Sequence, residues 1–290
     1  MTYSDTEIST QDGQPVALYT LRWDKTYWRY NSSDIEITRS ELVDGVPTDV
    51  VYIPVGISDE GFVQGGSDVN NMTVDIPRDL PIVDLFNGTP PSESIWLTIR
   101  RIHDDGTEDA PIYWIGLVSN VVGKDAASAQ IIGIPLAATF KRAGLRLCWS
   151  RGCPHTVYDS QCRLAPADFA FDTTIKAVTG NGFTVAAIDT DVGSNGYRGG
   201  YVSWEANDDG TIERRTIEEV LPDVIILTVP YKTFQIFGTT DRLTALTAVK
   251  IYPGCDLTPG TCQDRFDNLV NHGGFEFMSG KSPFDGTPVF

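Results

Sequence analysis

The chain has 290 residues, of which 39 are Asp or Glu and 22 are Lys or Arg, so its formal net charge is -17 at pH 7. Nucleic-acid binders and proteins that dock on anionic membranes need a basic face, so this excess of acids excludes both classes. Hydrophobic residues make up 41% of the chain and aromatic residues 10%, which is ordinary for a folded protein. A chain of this length can build one large core or two.

The first ten residues are polar and acidic, without the basic start and apolar run of a secretory signal. The strongly apolar stretches, such as residues 224–229, are far shorter than the roughly 20 residues that a membrane-spanning helix needs. We therefore expect synthesis and folding in a cytoplasm, where cysteine thiols normally stay reduced.

Alternation of apolar and polar residues with a period of two predicts short β-strands along most of the chain. The clearest segments are 17–23, 27–30, 95–100, 113–118, 183–188 and 201–204. Turn residues separate them, and the dipeptides Asn181-Gly182 and Asp209-Gly210 are predicted to be hairpin tips. Helical patterns are few and short, at 78–86, 136–143 and 264–270.

The distribution of cysteines suggests two domains. Residues 1–140 contain none and are predicted to form a complete β domain, and residues 141–290 form the second. Within the second domain, 141–170 hold three cysteines, 171–250 form a cysteine-free β excursion, and 251–290 hold the last two. If the cysteines meet, the two ends of the excursion are held together.

Two cysteine pairs carry the most informative spacing. Eight residues separate Cys153 from Cys162, six separate Cys255 from Cys262, and 92 residues lie between the pairs. Four thiolates complete either a zinc site or an iron–sulfur cluster. The alternative is that these thiols are small apolar core side chains, and disulfides would form only in an oxidising medium.

The fifth cysteine and the histidines leave other interpretations open. Cys148 lies between Leu147 and Trp149, so it is predicted to fill the core. A cysteine hydrolase would need His155 or His272 as its base, and a cytosolic iron–sulfur or zinc enzyme would use the same thiols near a substrate pocket. The competing interpretation of both histidines is that they flank a metal site and donate hydrogen bonds.

Motifs around the paired cysteines resemble a family of tailed-phage proteins. The segment CPHTVYDSQC at 153–162 is similar to the family's Cys-x3-Leu-Tyr-x3-Cys element, with Val157 in place of Leu. The tail also resembles the family at PGCD (253–256), TCQDRFDN (261–268) and NHGGF (271–275). Looser matches in the family's order are YWRY (27–30), YIPVGI (52–57) and LTIRRIH (97–103). The family comprises baseplate hub, or tail-tip, proteins of siphophages and gene transfer agents, and the minor tail protein L of phage lambda is a more distant relative.

The resemblance implies a mainly β fold with few short helices. An N-terminal β-barrel-like hub domain would be followed by a second β domain closed by a four-cysteine metal-cluster site. Position by position, Cys153, Cys162, Cys255 and Cys262 match the family's [4Fe-4S] ligands, with zinc the less favoured metal. Cys148 lies outside the pattern. A cross-link between Cys162 and Cys255 would reduce the conformational entropy of the unfolded chain. If it acts as a disulfide does, it would stabilise the fold by about 4 to 5 kcal/mol.

The same resemblance implies a non-enzymatic structural subunit of the virion, located in the tail tip and made in the cytoplasm of a bacterial host. The partners implied are further copies of the chain, three in number, a distal tail protein, and a central fibre or receptor-binding tail-tip protein. Trp28, Phe62 and Trp204 are predicted contributors to such interfaces. The aromatic run Phe266, Phe275, Phe277 and Phe284 would cover the cluster or pack on a neighbouring subunit.

Overall fold

The computed structural model describes residues 15–61, 71–87, 90–103, 110–141, 150–179, 182–206, 208–221, 224–228 and 248–278. Strands predominate in these ranges and helices are short, which confirms the predicted mainly β fold class. Of the described residues, 15–141 and 205–213 form a first compact unit, and 150–204, 214–228 and 248–278 form a second. The predicted organisation had placed 205–213 in the β excursion of the second domain.

The first unit contains nine strands in one sheet, in the order β3-β4-β2-β1-β7-β8-β9-β6-β5. Neighbours pair antiparallel except β2 and β4, which are parallel. The strands are β1 (Pro15–Trp23), β2 (Thr26–Asn31), β3 (Ile37–Val43), β4 (Val46–Pro54), β5 (Ser58–Asp59), β6 (Met72–Pro77), β7 (Trp96–His103), β8 (Ile112–Gly123) and β9 (Ser128–Pro135).

Strand β1, which lies between β2 and β7, is buried on both faces over residues 16–19. Tyr19 and Leu21 join the larger core cluster, whereas Leu18, on the other face, packs with Tyr52 in a smaller one. This explains why β1 is nearly all apolar over residues 16–19, since a strand covered on both faces loses the polar half of its alternation. The helix α1 (Pro81–Phe86) starts with proline at its first turn and buries three side chains, Ile82, Val83 and Leu85.

A buried carboxylate is neutralised within the first unit. The Asp59 side chain is only 2% exposed, and it accepts two hydrogen bonds from the Arg101 guanidinium at 2.7 and 2.8 Å. The Tyr19 hydroxyl donates a third at 2.6 Å. Segment 205–213 also belongs to this unit, where Glu213 accepts hydrogen bonds from the backbone N–H and hydroxyl of Ser92 at 3.0 and 2.9 Å.

The second unit contains a closed barrel of six strands in the order β10-β11-β14-β13-β12-β15. The prediction had placed a barrel-like fold in the N-terminal domain, whereas the described strands there form the nine-stranded sheet. The barrel strands are β10 (Phe171–Thr179), β11 (Gly182–Val185), β12 (Tyr201–Glu205), β13 (Ile212–Leu221), β14 (Val224–Leu227) and β15 (Ala248–Tyr252).

The strand pairs of both predicted hairpins are present. Strands β10 and β11 pair antiparallel up to Thr179 and Gly182, and β12 neighbours β13 across a turn in which Gly210 has a φ of 81°. Asn181 itself lies outside the described residues. Glycine suits the tip at 210 because a positive φ costs it nothing.

The helix predictions were partly wrong. Segment 136–143 forms a 3-10 helix at Leu136–Lys141, and the helix predicted at 264–270 lies earlier, at α2 (Pro259–Asp264), followed by a 3-10 turn at Leu269–Asn271. The start of α2 is set by Thr258, whose hydroxyl accepts from the Thr261 N–H at 3.3 Å, and by Pro259 in the first turn.

Two of the predicted interface aromatics can be placed. Trp204 is only 4% exposed and belongs to the core, so its prediction as an exposed contact residue was wrong. Trp28 is half-buried, packs against the core of the first unit, and stacks on Trp23 with ring centroids 6.3 Å apart. Phe62 lies outside the described residues. In the described part of the chain, every helix is too short or too polar to cross a membrane.

Candidate cysteine-cluster site

The two cysteine-bearing segments leave the barrel from neighbouring strand ends. Strand β10 begins at Phe171, after the loop that holds Cys153 and Cys162, and β15 ends at Tyr252, just before Cys255. The two strands are hydrogen-bonded antiparallel, with Phe171 opposite Ile251. The barrel itself therefore brings together segments that are 92 residues apart in sequence.

Asp159 organises the first cysteine loop, residues 153–162. Its carboxylate accepts hydrogen bonds from three backbone N–H groups of the loop, those of Thr156 at 2.9 Å, Gln161 at 2.8 Å and Cys162 at 2.6 Å. Burial raises the pKa of Asp159, but these hydrogen bonds outweigh it and hold the pKa below its usual range. The loop is thus folded around a charged acceptor that lies next to a predicted ligand.

Tyr158 fixes the same loop to the end of the barrel. Its hydroxyl donates to the Pro253 carbonyl at 3.0 Å, and its ring lies against four other rings with centroids 5.9 to 6.2 Å apart. Tyr158 has a φ of 66°, which is uncommon for a residue with a side chain. The rings around it are those of Phe169, Tyr201, Tyr252 and Phe266.

Close backbone packing positions Cys255. The Gly254 N–H donates to the Gly196 carbonyl at 2.9 Å, and a Cβ on Gly254 would lie 2.5 Å from the Gly200 nitrogen. The Arg265 guanidinium donates to the carbonyls of Gly196 at 3.2 Å and Gly254 at 2.6 Å. Only glycine allows the turn before β12 and the segment before Cys255 to approach this closely.

Leu257 connects the second pair to the first. Its N–H donates to the Cys255 Sγ at 3.3 Å, and its carbonyl accepts from the Cys153 N–H at 3.0 Å and from the His272 Nε2 at 3.3 Å. Leu257 has a φ of 65°, a conformation that a leucine adopts only when its surroundings impose it. Its backbone is therefore shaped by the loops it joins.

Asn268 makes the matching connection between Cys162 and Cys262. Its amide nitrogen donates to the Cys162 carbonyl at 2.7 Å and lies 3.6 Å from the Cys162 Sγ, while its backbone N–H donates to the Cys262 carbonyl at 3.0 Å. The Gly273 N–H donates to the Cys153 Sγ at 3.4 Å. Three of the four predicted ligand sulfurs thus accept an N–H hydrogen bond, and the fourth, Cys262, is 7% exposed on α2.

The four thiols influence one another electrostatically. Burial raises the pKa of Cys262, and the negative charges that Cys255, Cys162 and Cys153 would carry raise it further. Burial also raises the pKa of Cys255, against the opposing hydrogen bond from Leu257 and together with Asp256, Cys162 and Cys153. A cation or an iron–sulfur core would relieve this crowding, because it stabilises the thiolate forms.

The residues present fit a thiolate-bound metal group in donor type and surroundings. Soft sulfur donors and N–H groups aimed at sulfur are the features expected around a cluster. In the described part of the chain, however, no group of three or more His, Cys, Asp or Glu side chains has the arrangement of a formed metal site. The assignment of Cys153, Cys162, Cys255 and Cys262 as [4Fe-4S] ligands therefore stays a prediction.

The histidines beside these cysteines bond to the backbone. His155 Nδ1 lies 3.2 Å from the Asn271 carbonyl, and His272 accepts at Nδ1 from the Gly274 N–H at 3.2 Å. The carbonyl of Leu257 can only accept and the Gly274 N–H can only donate, so these two contacts fit the Nε2–H tautomer of His272. Both rings connect the C-terminal segment to the cysteine loops, which is the supporting role that the sequence left open beside catalysis.

Sequence reasoning identified the thiols but missed their supports. Asp159 and Asn268 were noted only as letters of the family motifs, and Leu257 was not singled out. Their roles depend on contacts between distant segments and on a backbone conformation that no spacing encodes. Cys148 lies outside the described residues.

Comparison of the sequence with protein families gives a match in the C-terminal part of the chain. Residues 195–282, which include the second cysteine pair, match the family model described as "Phage conserved hypothetical protein BR0599". No curated protein matches the sequence. This part of the chain is therefore similar in sequence to a phage protein family.

A solved structure extends the similarity to the whole chain. The fold is similar to that of a chain in the "Virion of native gene transfer agent (GTA) particle", with a TM-score of 0.71 and 17% sequence identity. The match covers 99% of this chain and 95% of that chain. At this identity the likeness shows a shared fold.

Proposed function

We propose that this protein is a non-enzymatic structural subunit of a phage-type tail tip, or baseplate hub. The observation that carries the proposal is the fold similarity to a chain of a gene transfer agent virion, which spans nearly the full length of both chains. The phage family match at 195–282 supports it independently, because it rests on sequence. In this role the protein assembles as a ring, proposed to be a trimer, between a distal tail protein and a central fibre or receptor-binding protein.

We further propose that Cys153, Cys162, Cys255 and Cys262 hold a structural [4Fe-4S] cluster. The support is the arrangement of two loops from neighbouring strand ends, with N–H donors directed at three of the sulfurs. When bound, the cluster supplies four metal–sulfur bonds that fix the loops. Leu257 and Asn268 donate hydrogen bonds to two of the sulfurs, and the rings around Tyr158, two of them buried and the others partly buried, pack against one side of the first loop.

A cysteine hydrolase is not proposed, because the described contacts do not pair a histidine with a thiol. His155 and His272 bond to backbone groups, while the thiols of Cys153 and Cys255 accept from backbone N–H groups.

The test of the cluster is chemical analysis of the full chain purified without oxygen. We expect about four iron and four sulfide per chain with the visible absorbance of thiolate-bound iron. Cys153→Ser and Cys255→Ser should each lose most of the iron, and Cys148→Ser, a thiol outside the paired pattern, should keep it. A colourless protein that contains zinc would contradict the cluster, and it would revive the zinc-enzyme alternative.

The test of the structural role is complementation in a phage or gene transfer agent that lacks its own copy. The wild-type chain should appear in purified particles, and immunogold labelling should mark the tail tip. Cys153→Ser and Cys255→Ser chains should leave particles without tail tips. Normal infectious particles formed by these variants would contradict a structural role for the site, and absence of the wild-type chain from particles would contradict the virion role.

A further inference from the structure

In the described part of the chain, three N–H groups are directed at the cysteine sulfurs, and one of them belongs to a side chain. The other two are the backbone N–H groups of Leu257 and Gly273, which every residue except proline would supply. The side-chain donor is the amide of Asn268, whose Nδ2 lies 3.6 Å from the Cys162 Sγ. Asn268 is therefore the position at which the identity of the side chain decides whether a sulfur has a hydrogen-bond donor.

The side-chain amide of Asn268 has a fixed orientation. Its Oδ1 accepts a hydrogen bond from the Asn271 Nδ2 at 2.6 Å, so its own Nδ2 is turned toward Cys162. There Nδ2 has two acceptors for its two hydrogens, the Cys162 carbonyl at 2.7 Å and the Cys162 Sγ. Asn268 is only 8% exposed, so a rotation of the amide away from Cys162 would leave buried polar groups without partners.

Asn271 is itself held by the first cysteine loop. Its carbonyl lies 3.2 Å from the His155 Nδ1, and its backbone N–H donates to the Asn268 carbonyl at 3.0 Å. The contacts therefore run from His155 through Asn271 and Asn268 to Cys162. His155 and Cys162 belong to the same loop, so this chain of contacts begins and ends on the segment whose sulfur receives the hydrogen bond.

A hydrogen bond to a metal-bound sulfur affects how readily an iron–sulfur cluster accepts an electron. The reduced form has one more negative charge, and an N–H donor stabilises that form more than it stabilises the oxidised form. Burial has the opposite effect, because an added charge is costly in apolar surroundings. The side chain of Cys262 is 7% exposed, so part of this site is shielded from water. A donor at Cys162 would offset some of that cost.

We propose that Asn268 is a positioning residue that makes the proposed [4Fe-4S] cluster easier to reduce. Asn268 directs its Nδ2 at the Cys162 Sγ, and Asn271 keeps the amide in that orientation. This inference rests on the proposed function, because it requires the cluster to be present. It extends that function, because a residue that is not a ligand then sets the reduction potential of the site.

The experiment is a reductive titration of the full chain purified without oxygen. Dithionite supplies one electron to each cluster, no bond forms or breaks, and electron paramagnetic resonance measures the reduced fraction. We expect Asn268→Leu, a change of similar volume that removes the donor, to shift the midpoint potential to a more negative value. The iron content, measured on the same samples, should stay at about four per chain.

Two further variants separate the hydrogen bond from the shape of the side chain. Asn268→Asp keeps the shape but replaces the donor with a negative charge, so it should shift the potential further in the same direction. Asn271→Ala leaves Asn268 in place but removes the group that orients its amide, so it should cause a smaller shift of the same sign.

Gln263→Leu is the matched control. Gln263 is an exposed amide next to Cys262, and it donates to the Asp267 carboxylate at 2.7 Å rather than to a sulfur. Its replacement should change neither the iron content nor the potential. A wild-type potential in the iron-containing Asn268 variants would overturn the proposal, as would equal shifts in Asn268→Leu and Gln263→Leu. Loss of iron from both Asn268 variants, with Asn271→Ala at the wild-type potential, would show that Asn268 only joins the loops and would also overturn it.

Failure of the cluster proposal gives a different result. A wild-type chain without iron would contradict the cluster, and the role of Asn268 would fail with it. A wild-type chain with about four irons and a potential that no Asn268 variant shifts would contradict the role of Asn268 alone. The iron analysis and the titration therefore distinguish the two failures.

Discussion

Asp159 shows how a single acceptor can determine the shape of a binding loop. Its carboxylate accepts hydrogen bonds from the backbone N–H groups of Thr156, Gln161 and the predicted ligand Cys162. A side chain at a helix N-cap plays the same role at the end of a helix. The loop therefore has a defined conformation before any metal group binds. Removal of the carboxylate would leave those N–H groups without their acceptor.

We expect Asp159→Ala to lower the free energy of unfolding of the second unit by about 1 kcal/mol, as loss of a capping side chain does. The iron content of the purified chain should fall with it. Asp168→Ala, an exposed acid on a neighbouring turn, is the control and should be close to neutral. Thermal unfolding and iron analysis of the three proteins measure both effects.

The pH dependence gives an independent check on Asp159. Because its folded-state pKa is depressed, its contribution is present above the ordinary aspartate pKa of about 3.9 and is lost as pH falls through the lower folded-state value. The difference in melting temperature between wild type and Asp159→Ala should therefore shrink in strong acid. A difference that stays constant down to the lowest pH would show that the carboxylate charge is not what holds the loop.

At the scale of elements, the pairing of strand β10 with strand β15 holds the two ends of the β excursion together. From the sequence alone, this role had been assigned to the metal site. The stabilisation of about 4 to 5 kcal/mol expected from closing the long loop holds only if the cross-link persists in the unfolded chain. The barrel already joins Phe171 to Ile251 through strand pairing. A cluster released on unfolding would instead stabilise the folded state through its own binding free energy.

Gly254 tests the contact between the barrel and the second cysteine segment. Gly254→Ala would place a Cβ 2.5 Å from the Gly200 nitrogen, so the backbone before Cys255 must move. Overpacking of this kind costs about 1 to 3 kcal/mol, and under the proposed cluster iron occupancy should fall because Cys255, a proposed ligand, is displaced. Gly260→Ala, in α2, meets nothing within 4 Å and is the matched control. Equal melting temperatures and iron contents for the two variants would contradict this role of Gly254.

The sequence predicted some elements and missed others for identifiable reasons. Hairpins at Asn181-Gly182 and Asp209-Gly210 were predictable because turn chemistry is local. The helix predicted at 264–270 was wrong because α2 starts earlier, at the Thr258 cap and Pro259. The contacts of Leu257 could not be predicted, since its left-handed backbone follows from segments distant in sequence.

At the scale of the whole molecule, buried tyrosines set an alkaline limit to stability. Burial is the main cause that raises the pKa of Tyr30 to about 12, with a smaller effect of Asp79, and burial likewise raises the pKa of Tyr19 and Tyr52. All three lie in the first unit. Their stabilising contribution is complete below the unfolded-state pKa of about 10 and is lost as pH rises toward the folded-state values.

We therefore expect the first unit to unfold cooperatively above a pH of about 10, with these phenols ionising late and together with loss of structure. One titration should record the ultraviolet absorbance of phenolate together with the far-ultraviolet circular dichroism. We expect the absorbance change from Tyr19, Tyr30 and Tyr52 to coincide with the loss of the circular dichroism signal. Tyr30→Phe should shift the transition to higher pH, because one ionisation that favours the unfolded chain is removed. Early, structure-independent ionisation of all tyrosines would contradict this expectation.

If the protein holds the proposed cluster, the adjacent ends of β10 and β15 would divide its maturation into separate stages. A chain whose barrel closes without any cofactor would leave the ribosome with its two cysteine loops already adjacent, and under the proposed function iron would be added afterwards. Cells starved of iron would then accumulate a stock of folded but unfinished subunits rather than aggregates. Supplying iron to such cells without new translation should complete them.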